Sequence, residues 1–416
     1  MAAVTVVKAI GTTGVFSTPQ LWEDGAPANL TTAEKSAASS FLTAAFIQGE
    51  VLSFVGSGAT GKLLDTDSTG PGNGTYITYG ITTGNPATND VVTGIGSGAT
   101  CVLSSGTPDN VGVIWEGQCQ NQEFSGTGVQ LFISSSTSNS SAYKHLTTVP
   151  GASFRDNANK QTNALRFDSS NGASITGSSA NQVTVSCTED NSLLSNLQIN
   201  ATGLGGRALA AGSTAGLYEN LILEGKYVGT SAALGVLYLS GTTYTFRNLL
   251  IVQRASGADH IIGTSTASPN FYNCTIVAAD DLATAPDSIF LSGASGTVTV
   301  QNCGMFDGDS TKAIKAGSAT FNFTTCYSDI SGTAGVTQAT YANEFVSVAD
   351  ATRDFKLKLG AAQIGNGTTD ATNAATDIVG TLRPSGVGYD VGCWELVNYN
   401  VPRLFVGQAV KRASFF

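Results

Sequence analysis

The phrase ENLIL (219–223) recurs as SNLQI (195–199), RNLLI (247–251), YNCTI (272–276) and QNCGM (301–305), with a degraded copy, TTCYS (324–328). Its asparagines are Asn196, Asn220, Asn248, Asn273 and Asn302, and Thr325 takes the same place in the last copy. The steps between these positions are 24, 28, 25, 29 and 23 residues. Self-similarity at a period of roughly 20–50 residues indicates a stack of structural units.

The repeated unit is predicted to be a strand. Each copy is short, rich in aliphatic and aromatic residues and bounded by Gly, Ser, Thr and Asn, which is typical of strands. About 25 residues hold two or three strands of about 5 residues, which is one coil of a parallel β-solenoid. A β-sandwich has no reason to repeat one phrase at this period, and 41% hydrophobic residues argue against a disordered chain. We therefore predict an all-β fold, a parallel β-helix.

The asparagines are predicted to lie where the chain bends out of a strand, because Asn tolerates a left-handed backbone and bonds its own main chain. Their stacked side chains can also hydrogen-bond along the axis as an Asn ladder. The position that follows is Leu or Cys in every copy, which predicts one inward-facing column: Leu197, Leu221, Leu249, Cys274, Cys303 and Cys326.

Composition argues against several classes of function. The 416 residues carry a formal net charge of −10 and the pI is about 4.6, which argues against a general nucleic-acid or anionic-membrane binder. We find no apolar run of about 18 residues to span a membrane, and MAAVTVVKAIG (1–11) lacks the apolar core of a secretory signal. The seven cysteines are scattered and form no CxxC pair, so we expect reduced core thiols, no zinc site and no cofactor.

Residues 1–48 are predicted to form a strand and two helices that cap the β-helix. Thr18 can cap a short helix that has Pro19 at its first position. A second helix is predicted over 31–46, where Glu34 completes a capping box with the first threonine of that segment.

Residues 49–110 contain a different repeat. The segment 49–63, GEVLSFVGSGATGKL, matches 89–103, NDVVTGIGSGATCVL, and Asn73 with Gly74 signals a tight turn between them. We predict a small antiparallel β-module of two related hairpins. The GSGAT loops are interpreted as turns rather than a phosphate cradle, which would need a GK[ST] or a helix start directly after the loop.

The β-helix itself is predicted over 111–342, with about nine coils and a length of about 45 Å at about 4.8 Å per stacked strand. Residues 343–397 are predicted to close it. The tail, 398–416, ends in VKRASFF, which is basic and aromatic and suits a docking peptide. Candidate assembly contacts are Trp22 in the N-terminal cap and, in the tail, Lys411, Arg412, Phe415 and Phe416.

Two segments resemble pectate-lyase-like right-handed parallel β-helix proteins. GVFSTPQLWEDGAP (14–27) resembles their opening phrase, G-x-[FY]-x-T-x-Q-x-[AW], and 354–395 resembles their closing phrase. The residues that match the closing phrase are Asp354, Phe355, Leu357, Asp377, Gly380, Arg383, Pro384, Asp390, Gly392 and Glu395, while Cys393 replaces the usual Ala. The resemblance implies a right-handed parallel β-helix and says little about function.

The combination of TPQLWEDGAPANLTTAEK (18–35), GSGAT hairpins and a β-helix is similar to virion structural proteins of tailed bacteriophages. This resemblance implies a non-enzymatic capsid decoration or cement protein, made in the host cytoplasm and placed on the capsid exterior. Its expected partners are further copies of itself in a homotrimer, and the major capsid protein or another virion protein. A lack of coiled-coil heptads favours the head over the tail.

The alternative is a tailspike or tail-fibre polysaccharide depolymerase, or a glycan-binding adhesin. Hydrolysis of a glycan needs two carboxylates about 5–10 Å apart. Asp281 and Asp309 follow their repeat asparagines by 8 and 7 residues, so they are candidates for neighbours on successive coils and for the catalytic pair. The other acids considered are Asp168, Asp280 and Asp307.

Overall fold

The chain is a parallel β-helix with an antiparallel module inserted near its start, as seen in a computed structural model. The described residues are 4–39, 44–47, 49–66, 76–104, 109–110, 112–134, 136–228, 235–255, 260–265, 268–279, 286–292, 296–386 and 388–397. Residues 4, 34, 36, 37, 39, 109 and 110 are described by their backbone only. Within these ranges, none of the helices has the length and apolar character needed to cross a bilayer.

Three parallel sheets form the β-helix, and from residue 113 onward the chain visits them in turn. In the described ranges sheet 1 comprises Val4–Ile10, Val113–Cys119, Lys144–Thr148, Ser192–Ser195, Ala215–Glu219, Thr243–Arg247, Asn270–Tyr272, Thr297–Gln301 and Thr320–Thr324. Sheet 2 comprises Glu123–Gly126, Ser174–Gly177, Gln198–Ala201, Ile222–Gly225, Leu250–Gln253, Thr275–Ala278, Gly304–Phe306, Cys326–Ser328 and Val336–Gln338. Sheet 3 comprises Leu131–Ile133, Val183–Cys187, Arg207–Ala211, Leu237–Leu239, His260–Thr264, Ser288–Ser292 and Ala313–Gly317.

The repeated asparagines form the corner between sheet 1 and sheet 2. Their φ values lie between 52° and 64°, in the left-handed region that Asn tolerates better than most residues, so the predicted bend is confirmed. Asn220 Nδ2 donates to Asn196 Oδ1 (3.3 Å) and Asn248 Nδ2 donates to Asn220 Oδ1 (3.2 Å), which confirms the ladder over these coils. Asn302 instead exchanges hydrogen bonds with the backbone of Thr368.

The interior of the β-helix is apolar and closely packed. The predicted column of Leu and Cys after each corner is fully buried. Tyr218, Phe246 and Phe271 stack on successive coils with ring centroids 5.1 and 4.8 Å apart, and Phe290 meets Phe271 edge to face (5.5 Å). All seven cysteines are buried free thiols, as predicted, and burial raises the pKa of Cys326 to about 12, which keeps it unreactive.

The N-terminal end of the β-helix is covered by a short helix, Pro19–Asp24. As predicted, the Thr18 side chain caps this helix by accepting a hydrogen bond from the backbone N–H of Leu21 (3.2 Å). Trp115 Nε1 donates to the backbone carbonyl of Trp22 (3.1 Å), and both indoles are fully buried. Two aromatic side chains therefore seal the first coil, which would otherwise expose its core.

Two features near the N-terminus differ from the prediction. Val4–Ile10 pairs in parallel with Val113–Cys119, so the predicted start of the β-helix at residue 111 misses one strand. The helix predicted over 31–46 is wrong, because Glu34–Ser39 is a strand. It pairs with strands on both of its sides, and these long-range hydrogen bonds outweigh a local capping preference.

The antiparallel module is confirmed, and its sheet closes on itself. The strand order is Tyr76–Thr83, Thr60–Thr66, Val51–Val55, Val91–Gly94, Thr100–Leu103 and Glu34–Ser39, with Asp109–Asn110 added outside. Glu34–Ser39 also pairs with Tyr76–Thr83, which closes the ring of strands. The turn predicted at Asn73 and Gly74 lies outside the described residues.

Each GSGAT loop is held by a carboxylate that precedes the other hairpin. Asp90 accepts a hydrogen bond from the backbone N–H of Ser57 (2.9 Å). Glu50 accepts from the backbone N–H groups of Gly96 (3.0 Å) and Ser97 (2.9 Å). Because the chain's own carboxylates bind these N–H groups, the loops are turns and not an open phosphate cradle.

The closing segment folds along the outer face of sheet 2. Its elements are the helix Tyr341–Glu344, the paired strands Phe345–Ser347 and Asp354–Leu357, and the 3-10 turn Asp350–Thr352. An apolar cluster joins Val277 and Leu250 of sheet 2 to Phe355, Val391 and Trp394. The strands of sheet 2 from Ser174–Gly177 to Cys326–Ser328 are therefore buried on both faces.

Residues that match the closing phrase form a buried polar network. Arg383 donates to the backbone carbonyls of Asp390 (2.6 Å) and Gly392 (2.7 Å), and its guanidinium lies 3.3 Å from the Glu395 carboxylate. Asp377 accepts a hydrogen bond from the backbone N–H of Glu395 (3.1 Å). These charged residues stabilise the conformation of the closing segment. Their presence in the phrase therefore has a structural explanation and does not require a catalytic role.

Candidate functional site

Among the described residues, the C-terminal end of the β-helix has no cover, in contrast to the N-terminal end. The last strands of sheets 1, 2 and 3 are Thr320–Thr324, Val336–Gln338 and Ala313–Gly317, and no further strand within the described ranges pairs with their outer edges. Phe321 and Phe323 are only half-buried there, and their rings stack with centroids 5.7 Å apart. Unpaired backbone groups beside partly exposed rings form an edge to which another chain can add.

An acidic cavity of about 550 Å³ lies beside this end, with Gly308, Asp329 and Tyr341 in its lining. The Asp329 carboxylate accepts hydrogen bonds from the backbone N–H groups of Asp307 (3.3 Å) and Gly308 (2.8 Å), which brings acids of two successive coils together. Asp307 Oδ1 accepts from the backbone N–H of Asp309 (2.8 Å). Asp307 Oδ2 is buried without a hydrogen-bond partner among the described residues.

The two buried carboxyl groups differ electrostatically from their exposed neighbour. Burial raises the pKa of Asp307 to about 7, and the charges of Asp329 and Asp309 act in the same direction. Burial also raises the pKa of Asp329, whereas hydrogen bonds from Thr311 lower the pKa of Asp309. A carboxyl group that keeps its proton near neutral pH can serve as a general acid, and a carboxylate beside it can serve as a base or nucleophile.

These carboxyl groups make the stability of the fold depend on pH. An unfolded aspartate titrates near about 3.9, whereas in the fold the pKa of Asp307 is about 7 and that of Asp390 about 6. The folded chain therefore binds more protons between these values, so the free energy of unfolding falls as pH rises through this window. We expect a higher Tm at about pH 5 than at about pH 7.5, measured by thermal unfolding. Asp307→Asn should flatten this dependence; an unchanged slope in that variant would contradict the assignment.

The structure brings Asp307 to Asp329, a pairing that the sequence analysis did not propose. Asp280 and Asp281 lie outside the described residues, so the pairing of Asp281 with Asp309 stays a prediction. A sequence signal for Asp329 does exist, because it follows Thr325 by 4 residues while Asp307 follows Asn302 by 5. The similar spacing from the repeat position places these two acids on adjacent coils.

The remaining acidic candidates are turn residues. Asp309 accepts hydrogen bonds from the backbone N–H (3.0 Å) and the hydroxyl (2.7 Å) of Thr311. Asp168 makes the same kind of contact with the backbone N–H (2.9 Å) and hydroxyl (2.6 Å) of Ser170. Each of these carboxylates stabilises its own turn.

Trp22 is not available as an assembly contact, which corrects the sequence-based prediction. Its side chain is fully buried, and a Cβ placed on Gly117 would lie 2.6 Å from its ring, so the indole fills the space beside the first coil. An aromatic residue is equally suited to a core and to an interface, and only the packing separates the two. The other candidate contacts lie outside the described residues and stay predictions: Lys411, Arg412, Phe415 and Phe416.

Comparisons with known proteins bear on the fold. No family model matches the chain, and no curated protein matches it. Among solved structures, the chain is similar to the crystal structure of pectate lyase Pel9A, with a TM-score of 0.35 and 11% sequence identity. That alignment covers 68% of this chain and 88% of the other. A likeness of this size does not indicate a function.

Proposed function

We propose that this chain is a structural protein of a bacteriophage particle, a capsid decoration protein attached by the C-terminal end of its β-helix. The observation that supports this proposal is the unpaired edge formed by Thr320–Thr324, Val336–Gln338 and Ala313–Gly317 among the described residues. The opposite, N-terminal end is covered by a helix. In an assembly such an edge pairs with another chain, because an unpaired strand edge promotes aggregation. The proposed partners are further copies in a trimer and the major capsid protein, on the capsid exterior.

Attachment through this edge predicts the behaviour of two pairs of substitutions. Asn322→Lys with Thr324→Lys adds charge at exposed positions of the last strand of sheet 1, which blocks strand addition. Thr243→Lys with Thr297→Lys adds the same charge at exposed positions of earlier strands. We expect the variant with Asn322→Lys and Thr324→Lys to be missing from purified DNA-filled heads after removal of tails. The control variant should be retained on the heads. Retention of the Asn322→Lys, Thr324→Lys variant on heads would contradict the proposal. So would a wild-type protein that is found only on tails.

The acidic cavity supports a second candidate function, cleavage of a bacterial surface polysaccharide by a tailspike-like depolymerase. In this role Asp329, which lines the cavity, and Asp307 beside it are the two carboxyl groups, and the one that keeps its proton protonates the glycosidic oxygen. The chain should then release oligosaccharides from host capsule, Asp307→Asn should abolish release, and Asp168→Asn should leave it intact because that carboxylate stabilises a turn. Absence of release from every susceptible glycan rejects cleavage, and binding on a glycan array without release indicates an adhesin.

A further inference from the structure

A serine, a histidine and a glutamate from three successive coils meet on the outer face of sheet 1. His145 Nε2 lies 3.0 Å from Ser195 Oγ, and His145 Nδ1 lies 3.0 Å from Glu116 Oε2. The parallel register places Glu116 directly opposite His145. Gln118 Nε2 donates to the other oxygen of Glu116 (2.6 Å), which fixes the carboxylate in place.

The protonation states follow from these contacts. The hydrogen bond with His145 holds the pKa of Glu116 below its usual range, so the carboxylate is ionised and accepts the Nδ1 proton. Ser195 Oγ donates a hydrogen bond to Thr147 Oγ1 (3.0 Å), and rotation of this hydroxyl directs its proton to His145 Nε2, which carries no proton in this tautomer. A nucleophile bonded to a base, which is oriented by a third group, is the arrangement that activates serine for acyl transfer, and it is recognised by geometry on unrelated folds.

Asn196 supplies an N–H donor next to the serine. Its Nδ2 donates to Thr147 Oγ1 (3.1 Å) and to Ser195 Oγ (3.3 Å), while its Oδ1 accepts hydrogen bonds from Arg155 Nη1 (2.8 Å) and Asn220 Nδ2 (3.3 Å). The two donors on Oδ1 set the orientation of the amide, so the N–H side faces the serine. A pre-oriented donor at this place can stabilise the oxyanion of a tetrahedral intermediate.

A groove of about 290 Å³ lies beside this group, with Tyr143, Leu193 and Leu217 in its lining. Leu193 pairs in register with His145 and lies two residues before Ser195 on the same face of the sheet, so the groove adjoins the histidine. Ser195 is 2% exposed, whereas the side chain of His145 is 17% exposed. A small substrate therefore approaches the serine from the groove, where Leu193 and Leu217 suit a short acyl chain and hydroxyl-bearing residues such as Thr243 suit the alcohol part of the ester.

We propose that Ser195 and His145 are catalytic residues of an esterase site, positioned by Glu116, that hydrolyses short acyl esters of hydroxyl-bearing substrates. Ser195 Oγ attacks the ester carbonyl carbon as its proton passes to His145 Nε2; the bond to the alcohol oxygen breaks, and His145 returns the proton to the departing alcohol. Water then attacks the acyl-serine and gives a proton to His145. That proton returns to Ser195 Oγ as the carboxylic acid leaves. This site is separate from the acidic cavity and from the unpaired edge, so it stands whether or not either proposed function does.

The full chain is tested with a fluorophosphonate probe, with labelled peptides mapped by mass spectrometry, and with p-nitrophenyl butyrate. We expect the label on Ser195, loss of the label in Ser195→Ala, and a fall in kcat of at least about 10³-fold in that variant. Ser347→Ala removes a hydroxyl that bonds Thr352 in the closing segment, and it should leave both readouts unchanged. Glu116→Gln should lower kcat with little change in KM, and Leu217→Arg should raise KM.

The wild-type chain alone can overturn the proposal, so the test does not depend on the folding of a variant. An unlabelled Ser195 in the folded wild-type chain rejects a nucleophilic serine. Labelling that persists at full rate in His145→Gln rejects the histidine as its base. Ester hydrolysis that survives in Ser195→Ala assigns the activity to another group and rejects the site.

Discussion

Replacing Arg383 with alanine is expected to lower the free energy of unfolding by about 3–5 kcal/mol. The guanidinium is fully buried 3.3 Å from Glu395, whose carboxylate is also buried, and its charge favours the ionised form of Asp377. The substitution leaves the buried Glu395 carboxylate without its ion partner, weakens the positive charge near Asp377, and removes the donors to the carbonyls of Asp390 and Gly392. Urea unfolding followed by tryptophan fluorescence measures the loss.

A surface ion pair provides the control for this substitution. Lys312 Nζ lies 2.9 Å from the Asp287 carboxylate, which is 71% exposed, so Lys312→Ala should cost less than about 1 kcal/mol. Comparable losses in Lys312→Ala and Arg383→Ala would mean that the network around Arg383 does not hold the closing segment. A loss confined to Arg383→Ala supports that role.

Replacing Lys144 with methionine is expected to destabilise the fold by a similar amount, about 3–5 kcal/mol, at the opposite end of the β-helix. The buried ammonium lies 2.7 Å from both the Glu23 and Glu189 carboxylates and donates to the backbone carbonyl of Ser134 (2.8 Å). It therefore joins the capping helix to strands of sheets 1 and 3. Thermal unfolding of the variant measures the cost.

A triple variant separates the loss of the ion cluster from the loss of packing. Lys144→Met with Glu23→Gln and Glu189→Gln removes the buried charges on both sides, so it should recover much of the stability that Lys144→Met alone loses. Burial raises the pKa of Glu189, and the lysine charge opposes that shift. A single variant as stable as the wild-type chain would show that packing of Trp22, rather than the charges, holds the cap.

Local preferences account for most of the fold that the sequence predicts. Asn220 and Asn248 adopt the left-handed backbone that their residue type favours, and Leu221 turns inward as the position after the corner requires. The GSGAT hairpins are likewise a local pattern. The segment 31–46 shows where this reasoning fails, because its capping box competes with two strand partners that only the closed module supplies.

The candidate sites depend on contacts that no local pattern contains. Asp307 and Asp329 meet because they directly follow Gly304–Phe306 and Cys326–Ser328, two strands that pair in parallel on successive coils. His145 carries no sequence signal, since its partners lie 29 residues before it and 50 residues after it. Their meeting requires the register of three strands, and a shift of one residue would turn the side chains to opposite faces.

Residue preferences within one coil specify where the chain bends, which residue follows the bend into the core, and that such coils stack. These features are set within a few residues by backbone preference and by alternation along a strand. Only the tertiary structure decided which side chains share a site, namely Asp307 with Asp329, and Ser195 with His145 and Glu116. The physical reason is that coils of unequal length stack through backbone hydrogen bonds, so the register between coils, and with it every contact across them, is a property of the assembled β-helix.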